Sequence, residues 1–177
     1  TTRANDNDTM SPGTYCGNIS VQGQNIVFDP GTYIIDGGDF TSNANSEFTG
    51  EGVTFVFTGD TAGDVGTVSM NGNTTAELSA PTSGIYQGIL FFQDPVAEYR
   101  DTTASFNGGA NLLLDGVLYF PSGDISFNGG SAADPSCLQI YGATVSFNGN
   151  SDIGNDDTIC ESMDMDVSPQ VRIQLVE

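Results

Sequence analysis

The stretch SFNGG occupies residues 105–109 and recurs at 126–130, with close variants at 69–73 (SMNGN) and 146–150 (SFNGN). A catalytic loop is normally used once in a chain. A turn that returns with the same Ser, apolar residue, Asn and Gly indicates a structural unit that is stacked several times.

The Asn of each copy, together with two weaker copies upstream, marks the repeat. From the first marker onward the spacings are 21, 28, 36, 21 and 20 residues. A base period of about 20–21 residues with two longer turns predicts a solenoid. The six markers are Gln22, Asn43, Asn71, Asn107, Asn128 and Asn148.

Short apolar runs recur between the markers, such as TYIID at 32–36, VTFVF at 53–57 and VLYF at 117–120. Runs of this length are strands, and the chain lacks the Leu ladder and helix of leucine-rich repeats. The sequence therefore predicts an all-β fold, a right-handed parallel β-helix of about six to seven coils. Residues 18–177 should form this single domain, preceded by a polar N-terminal extension at 1–17.

The chemistry of Asn and Gly explains the repeated turn. Asn tolerates the left-handed backbone conformation that a sharp turn requires, and the following Gly adopts it without steric cost. We expect the six marker side chains to form a ladder of hydrogen bonds from coil to coil. Phe106, Phe127 and Phe147 should form a stack inside the solenoid.

The charge balance excludes several classes of function. The chain has 3 Lys and Arg against 23 Asp and Glu, a net charge of −20, and it contains no His. Such a surface repels nucleic acids and anionic membranes. No apolar run reaches the ~18–20 residues that span a bilayer, so we expect no nucleic-acid partner and no direct membrane insertion.

The chain starts at Thr1 and has three cysteines, Cys16, Cys137 and Cys160. Without His or a CxxC pair a structural zinc site is disfavoured, and one disulfide with one leftover thiol fits an exported protein. We expect a secreted, processed protein at the cell surface or outside the cell. An N-terminal anchor removed by processing is compatible with this expectation.

Four phrases resemble a known family: FDPGTYIIDGGDF (28–40), LSAPTSGIYQGILFFQD (78–94), GVLYFPSGDISFNG (116–129) and VRIQLVE (171–177). They resemble the C-terminal region of TadG/TadE-like proteins, envelope proteins associated with bacterial tight-adherence pili. The resemblance implies export and a cell-surface or pilus-associated role. It implies no established enzyme activity, so it assigns no catalytic residues. It also implies a disulfide between Cys137 and Cys160, whose separation of 23 residues is close to one coil.

Two long turns suggest a place for a partner. Both insertions, at 58–67 and 93–103, follow the second strand of a coil and precede the marker strand, so both should project from one edge of the solenoid. Asp64, Tyr99 and Arg100 are the candidate contact residues. The alternative is that these are two unrelated surface loops.

Calcium is the one cofactor that the sequence allows us to consider. Carboxylate-rich stretches stand near residues 5–9, 154–158 and 163–166, and hard oxygen ligands suit calcium. Neither an EF-hand loop nor a calcium β-roll repeat is present, and ordinary solvated loops are the alternative. The candidate ligands are Asp156, Asp157, Asp164 and Asp166.

Three functions compete. The leading hypothesis is a non-enzymatic structural protein, pilus-associated or the subunit of a filament, that forms homo-oligomers head to tail through an edge strand carrying Val171, Ile173 and Leu175. The second is an adhesin that binds glycan or protein with the stacked loops. The third is a polysaccharide-active enzyme, which the missing Lys and His disfavour. Its carboxylate candidates, Asp39 and Asp124, should lie in distant coils.

Overall fold

The computed structural model describes residues 1–99, 102–107, 111–129, 132–149, 152–155 and 160, with backbone only for 132–136 and 152–155. Within these residues 17 strands pair in parallel, and one 3-10 helix spans Ala62–Asp64. Strands recur in sets of three per coil, and each pairs with the equivalent strand of the next coil. The fold is the predicted parallel β-helix, with three faces. In the same residues no helix is long and apolar enough to cross a membrane.

Face 1 carries the marker strands. It holds β1 (Thr2–Ala4), β4 (Ile19–Val21), β7 (Phe40–Ser42), β10 (Val68–Met70), β13 (Thr103–Phe106) and the C-terminal parts of β14 (Asn111–Asn128) and β16 (Leu138–Asn148).

Faces 2 and 3 complete each coil. Face 2 holds β2 (Thr9–Met10), β5 (Ile26–Phe28), β8 (Glu47–Gly50), β11 (Thr75–Ser79), the start of β14, β15 (Ala132–Ser136) and β17 (Asp152–Asn155). Face 3 holds β3 (Gly13–Cys16), β6 (Gly31–Asp36), β9 (Val53–Thr58), β12 (Ile89–Gln93), the middle of β14 and the start of β16.

The interior consists of columns of side chains in which each coil supplies one residue. Alternate residues of a strand point inward, so an apolar residue at every second position fills the core. On face 3, Tyr33 stacks on Phe55 at 5.2 Å, and Phe55 stacks on Phe91 at 5.2 Å. Phe28 and Phe40 both pack edge-on against Phe55 from the other two faces.

Residues 1–17 differ from the prediction, because they form the first coil and not an extension outside the domain. Thr2 pairs with Ile19, and Tyr15 pairs with Ile35. This coil is short, since Ala4 pairs with Val21 only 17 residues later. Ala4 and Met10 are buried and face the interior, so a few small contacts are enough to attach a polar segment.

Candidate functional site

The predicted markers occupy one column where face 1 ends. The backbone N–H of a marker donates to the carbonyl of the residue that precedes the marker of the coil before. Asn43 N donates to Val21 O and Asn107 N donates to Met70 O, both at 2.9 Å. Their side chains form the expected ladder only in the last three positions. Asn128 Nδ2 donates to Asn107 Oδ1 at 3.2 Å, and Asn148 Nδ2 donates to Asn128 Oδ1 at 3.0 Å.

The side chains of the earlier markers do not hydrogen-bond to one another. Asn71 Nδ2 donates to the carbonyl of Ser42 at 2.7 Å, and Gln22 Nε2 donates to Ser20 Oγ at 3.1 Å. Asn43 is exposed, and its side chain makes no hydrogen bond within the described part of the chain. The ladder is therefore a feature of coils 5 to 7.

The left-handed residue of each turn is not the marker, so that part of the prediction is wrong. In the first coil, which has no marker, it is Asn7 (φ 62°). In the next three coils it is an Asn two or three positions after the marker: Asn25 (φ 55°), Asn45 (φ 64°) and Asn73 (φ 59°). In coils 6 and 7 it is the Gly after the marker, with φ 59° at Gly129 and 82° at Gly149.

These left-handed residues form a second column that the sequence reasoning missed. Asn25 Nδ2 lies 3.4 Å from Asn7 Oδ1, and Asn73 Nδ2 lies 3.5 Å from Asn45 Oδ1. A signal for this column was present, because N-x-N recurs at 5–7, 43–45 and 71–73.

The three Phe residues of the repeat stack as expected. Phe106 and Phe127 have ring centroids 4.8 Å apart, and Phe127 and Phe147 are 5.2 Å apart, all nearly parallel. The first two rings are buried, whereas Phe147 is 52% exposed. Val145 and Tyr141, in the same strand, are exposed by 40% and 54%. The last coil of the described part of the chain thus presents apolar side chains to solvent.

The two insertions lie side by side, as predicted. Glu98 N donates to Ala62 O at 3.2 Å, which joins the two loops directly. Asp64 and Tyr99 are both exposed on this edge. Arg100 lies outside the described residues.

Buried Gln93 anchors both loops from below. Its Nε2 donates to Gly66 O at 3.2 Å and to Thr102 Oγ1 at 2.8 Å, so one amide holds both insertions. Its Oε1 is buried and has no hydrogen-bond partner within the described residues.

A cleft of about 570 Å³ lies where face 2 turns into face 3, and no sequence pattern pointed to it. Val27, Thr49, Glu77 and Leu113 share one outward column across four coils. Asp29, Glu51 and Asp115 line the neighbouring edge of the cleft. Val27 is 43% exposed, so apolar surface lies beside the carboxylates.

The carboxylates of this cleft differ in their contacts. Asp115 Oδ1 accepts a bond of 2.9 Å from Cys137 N, and Asp29 Oδ2 lies 3.5 Å from Ser11 Oγ. Glu51 and Glu77 are exposed and accept no hydrogen bond from any described residue.

The enzyme candidates Asp39 and Asp124 do not converge. They lie at equivalent positions of coils 3 and 6, with two coils between them. Each is used structurally: Asp39 Oδ1 accepts from Thr67 N at 2.9 Å, and Asp124 Oδ1 accepts from Thr144 Oγ1 at 2.7 Å. Two separated carboxylates of this kind do not form a hydrolytic pair.

The proposed calcium ligands Asp156, Asp157, Asp164 and Asp166 lie outside the described residues, as do the edge residues Val171, Ile173 and Leu175. Within the described residues, no group of three or more His, Cys, Asp or Glu side chains is placed to hold a metal ion. Calcium binding at 156–166 stays a prediction.

Cys137 and Cys160 form the expected disulfide, with Cα atoms 4.9 Å apart. Both cysteines are buried, and Cys137 N binds the Asp115 carboxylate beside the cleft. Cys16 is an exposed free thiol in the first coil.

Comparison with known proteins adds no relative: no family model, no curated protein and no solved structure matches the chain.

Proposed function

We propose that the protein is a non-enzymatic structural component that assembles head to tail at the cell surface or outside the cell. The observation that carries the proposal is the column whose last member among the described residues is Phe147. It runs through Ala4, Val21, Ser42, Met70, Phe106, Phe127 and Phe147, and its last ring is half exposed.

A second copy is the occupant that best fits this end. The first coil of another molecule would place small Ala4 over Phe147, and Thr2 over Val145, in continuation of the same two columns. Strand edges also carry unpaired N–H and C=O groups, which a further parallel coil would satisfy. Such a contact is heterologous, and it propagates into a filament when it does not close into a ring.

The net charge bears on the salt dependence of assembly, and the disulfide bears on the compartment in which the protein works. A net charge of −20 on each copy opposes assembly, so salt should strengthen it by screening over a Debye length of ~8 Å at physiological ionic strength. The Cys137–Cys160 disulfide supports export, because disulfides persist in oxidising compartments. Association with a pilus rests on the family resemblance.

Light scattering and electron microscopy over a range of protein and salt concentrations test the assembly. We expect mass to grow with both, and the double variant Val145→Ser/Phe147→Ser to reduce that growth. Ile85→Ser/Tyr99→Ser is the matched control, since it also removes two exposed apolar side chains, 91% and 70% exposed, away from the end. A particle that stays monomeric throughout, or equal loss in both variants, contradicts the proposal.

A binding module is the second candidate, favoured by the bond from Glu98 N to Ala62 O that makes the two loops one surface. A glycan array with the parent protein and with Asp64→Ser/Tyr99→Ser tests it. We expect any glycan signal to fall in the variant. A signal that the variant leaves unchanged places binding elsewhere. Incubation with uronate polymers tests the polysaccharide-active alternative.

A further inference from the structure

We propose that the cleft between faces 2 and 3 binds an extended cationic peptide segment of a partner protein, one that carries Lys or Arg between small apolar residues. The proposal concerns a surface away from the loops and from the exposed end. It does not depend on head-to-tail assembly.

The cleft has two kinds of surface in contact with each other. Its floor is the outward column of Val27, Thr49, Glu77 and Leu113. Val27, 43% exposed, and half-buried Leu113 supply apolar surface at the two ends of this column, and Phe28 and Leu78 lie beneath. The cleft also carries one carboxylate from each of four successive coils: Glu77 within the floor column, and Asp29, Glu51 and Asp115 along the neighbouring edge. A ligand that fits both needs apolar groups and positive charges in alternation.

The shape favours a chain over a point charge. Four coils are joined by three steps of ~4.8 Å, so the cleft is roughly 14 Å long, about the span of four extended residues. The carboxylates are spread along this length, and no three of them are close enough to hold a metal ion within the described residues. Hence an extended peptide with several cationic side chains matches the charges better than one divalent cation.

Charge complementarity also favours a different protein over a second copy of this chain as the occupant of the cleft. Among the described residues the only Lys or Arg is Arg3, which lies on face 1. The whole chain holds only 3 such residues, so another copy offers little positive charge. Glu51 and Glu77 accept no hydrogen bond from any described residue, so both are available to an incoming ammonium or guanidinium group.

The test uses the full chain and a fluorescent six-residue peptide that alternates valine and lysine, measured by anisotropy. Peptides with glutamate or glutamine in place of lysine are the comparators. We expect only the lysine peptide to bind, and binding to weaken as salt screens the charges. A lysine peptide that does not bind, or a glutamine peptide that binds as well, overturns the proposal.

Two double variants separate the cleft from the general negative field. Glu51→Gln/Glu77→Gln should raise the dissociation constant about tenfold, because two charge pairs against a partly apolar floor are lost. Glu47→Gln/Glu98→Gln changes the net charge by the same amount at two exposed positions outside the cleft. This variant should change the dissociation constant less than about twofold. Equal weakening by both would show that overall charge, and not this cleft, holds the peptide. All four positions face solvent, so both variants should fold, which circular dichroism checks.

Discussion

Asn128 accepts a hydrogen bond at its Oδ1 from Asn148 Nδ2 at 3.0 Å and donates one from its own Nδ2 to Asn107 Oδ1 at 3.2 Å. Ser126 Oγ also donates to Asn128 Oδ1 at 3.0 Å. A single half-buried side chain thus connects three consecutive coils.

Replacing Asn128 by alanine should lower the unfolding free energy more than the same substitution at Asn43. Asn128→Ala removes these three bonds, each of which contributes about 0.5–1.5 kcal/mol net, so we expect a loss of roughly 1.5–4.5 kcal/mol in unfolding free energy. Asn43→Ala is the control, because that exposed marker makes no side-chain bond to a described residue, and it should cost under about 0.5 kcal/mol. Denaturant titration measures both; equal losses would mean that the ladder adds no stability.

At the left-handed turn residues, substitution by glycine should cost less stability than substitution by alanine. Asn45 has φ 64°, a conformation that costs most non-Gly residues about 1–2 kcal/mol. Asn45→Gly should therefore leave stability within about 0.5 kcal/mol, whereas Asn45→Ala should lose about 1 kcal/mol. Thermal unfolding of the pair checks this. Equal losses in the two variants would show that the left-handed backbone at residue 45 carries no such cost, since both variants lose the contact with Asn73.

The fold could be predicted because each inward column repeats its chemistry at the coil period. Ile125 and Val145 pair across adjacent coils, and so do Phe127 and Phe147, both at the 20-residue shift that is visible in the sequence. The first coil escaped notice since its period is 17 residues and its inward side chains, Ala4 and Met10, form no apolar run.

The cleft could not be predicted, because outward columns depend on register and not on residue type. Val27, Thr49, Glu77 and Leu113 have nothing in common as a sequence pattern, and insertions of different length separate them. Only the pairing of strands shows that they share a column. The loop pair was predictable, since both insertions interrupt the repeat at the same point.

The disulfide should stabilise the end of the described solenoid. Cys137 and Cys160 close a loop with a separation of 23 residues, for which the chain-entropy effect is about 3 kcal/mol. Cys137→Ala/Cys160→Ala should lower the unfolding free energy by about that amount. Cys16→Ala is the control, because Cys16 is exposed and unpaired, and it should unfold like the parent. A stable double variant would indicate that the reduced chain already restrains this end.

Gln93 should control the order of both insertions. Gln93→Leu keeps the interior filled but leaves Gly66 O and Thr102 Oγ1 without their donor, a cost of about 1–3 kcal/mol. We expect faster hydrogen exchange and proteolysis at 59–67 and 94–102. Gln22→Leu makes the same chemical change at an exposed marker and should leave both loops protected. Unchanged exchange in Gln93→Leu would mean that the Glu98–Ala62 bond alone orders the loops.

Alkaline unfolding should depend on Tyr33. Its buried hydroxyl lies 2.8 Å from Met10 O and 2.7 Å from Asp29 O. Burial, and then the charges of Tyr15 and Asp29, raise the pKa of Tyr33 well above its ordinary value. The neutral form is therefore favoured in the folded chain. Its contribution to stability is complete below the unfolded pKa of about 10 and is lost as pH rises above it.

Tyr33→Phe tests this linkage. The variant should lose roughly 1 kcal/mol at neutral pH, where the hydroxyl bond is missing. Above pH ~10 it should lose less stability with rising pH than the parent, because the group whose ionisation favours unfolding is gone. Tyr99→Phe makes the same substitution at an exposed position and is the matched control. Denaturant titrations at pH values from 7 to 11 measure the difference. If the parent and Tyr33→Phe fall in parallel above pH 10, the buried hydroxyl does not govern alkaline unfolding, and another group must.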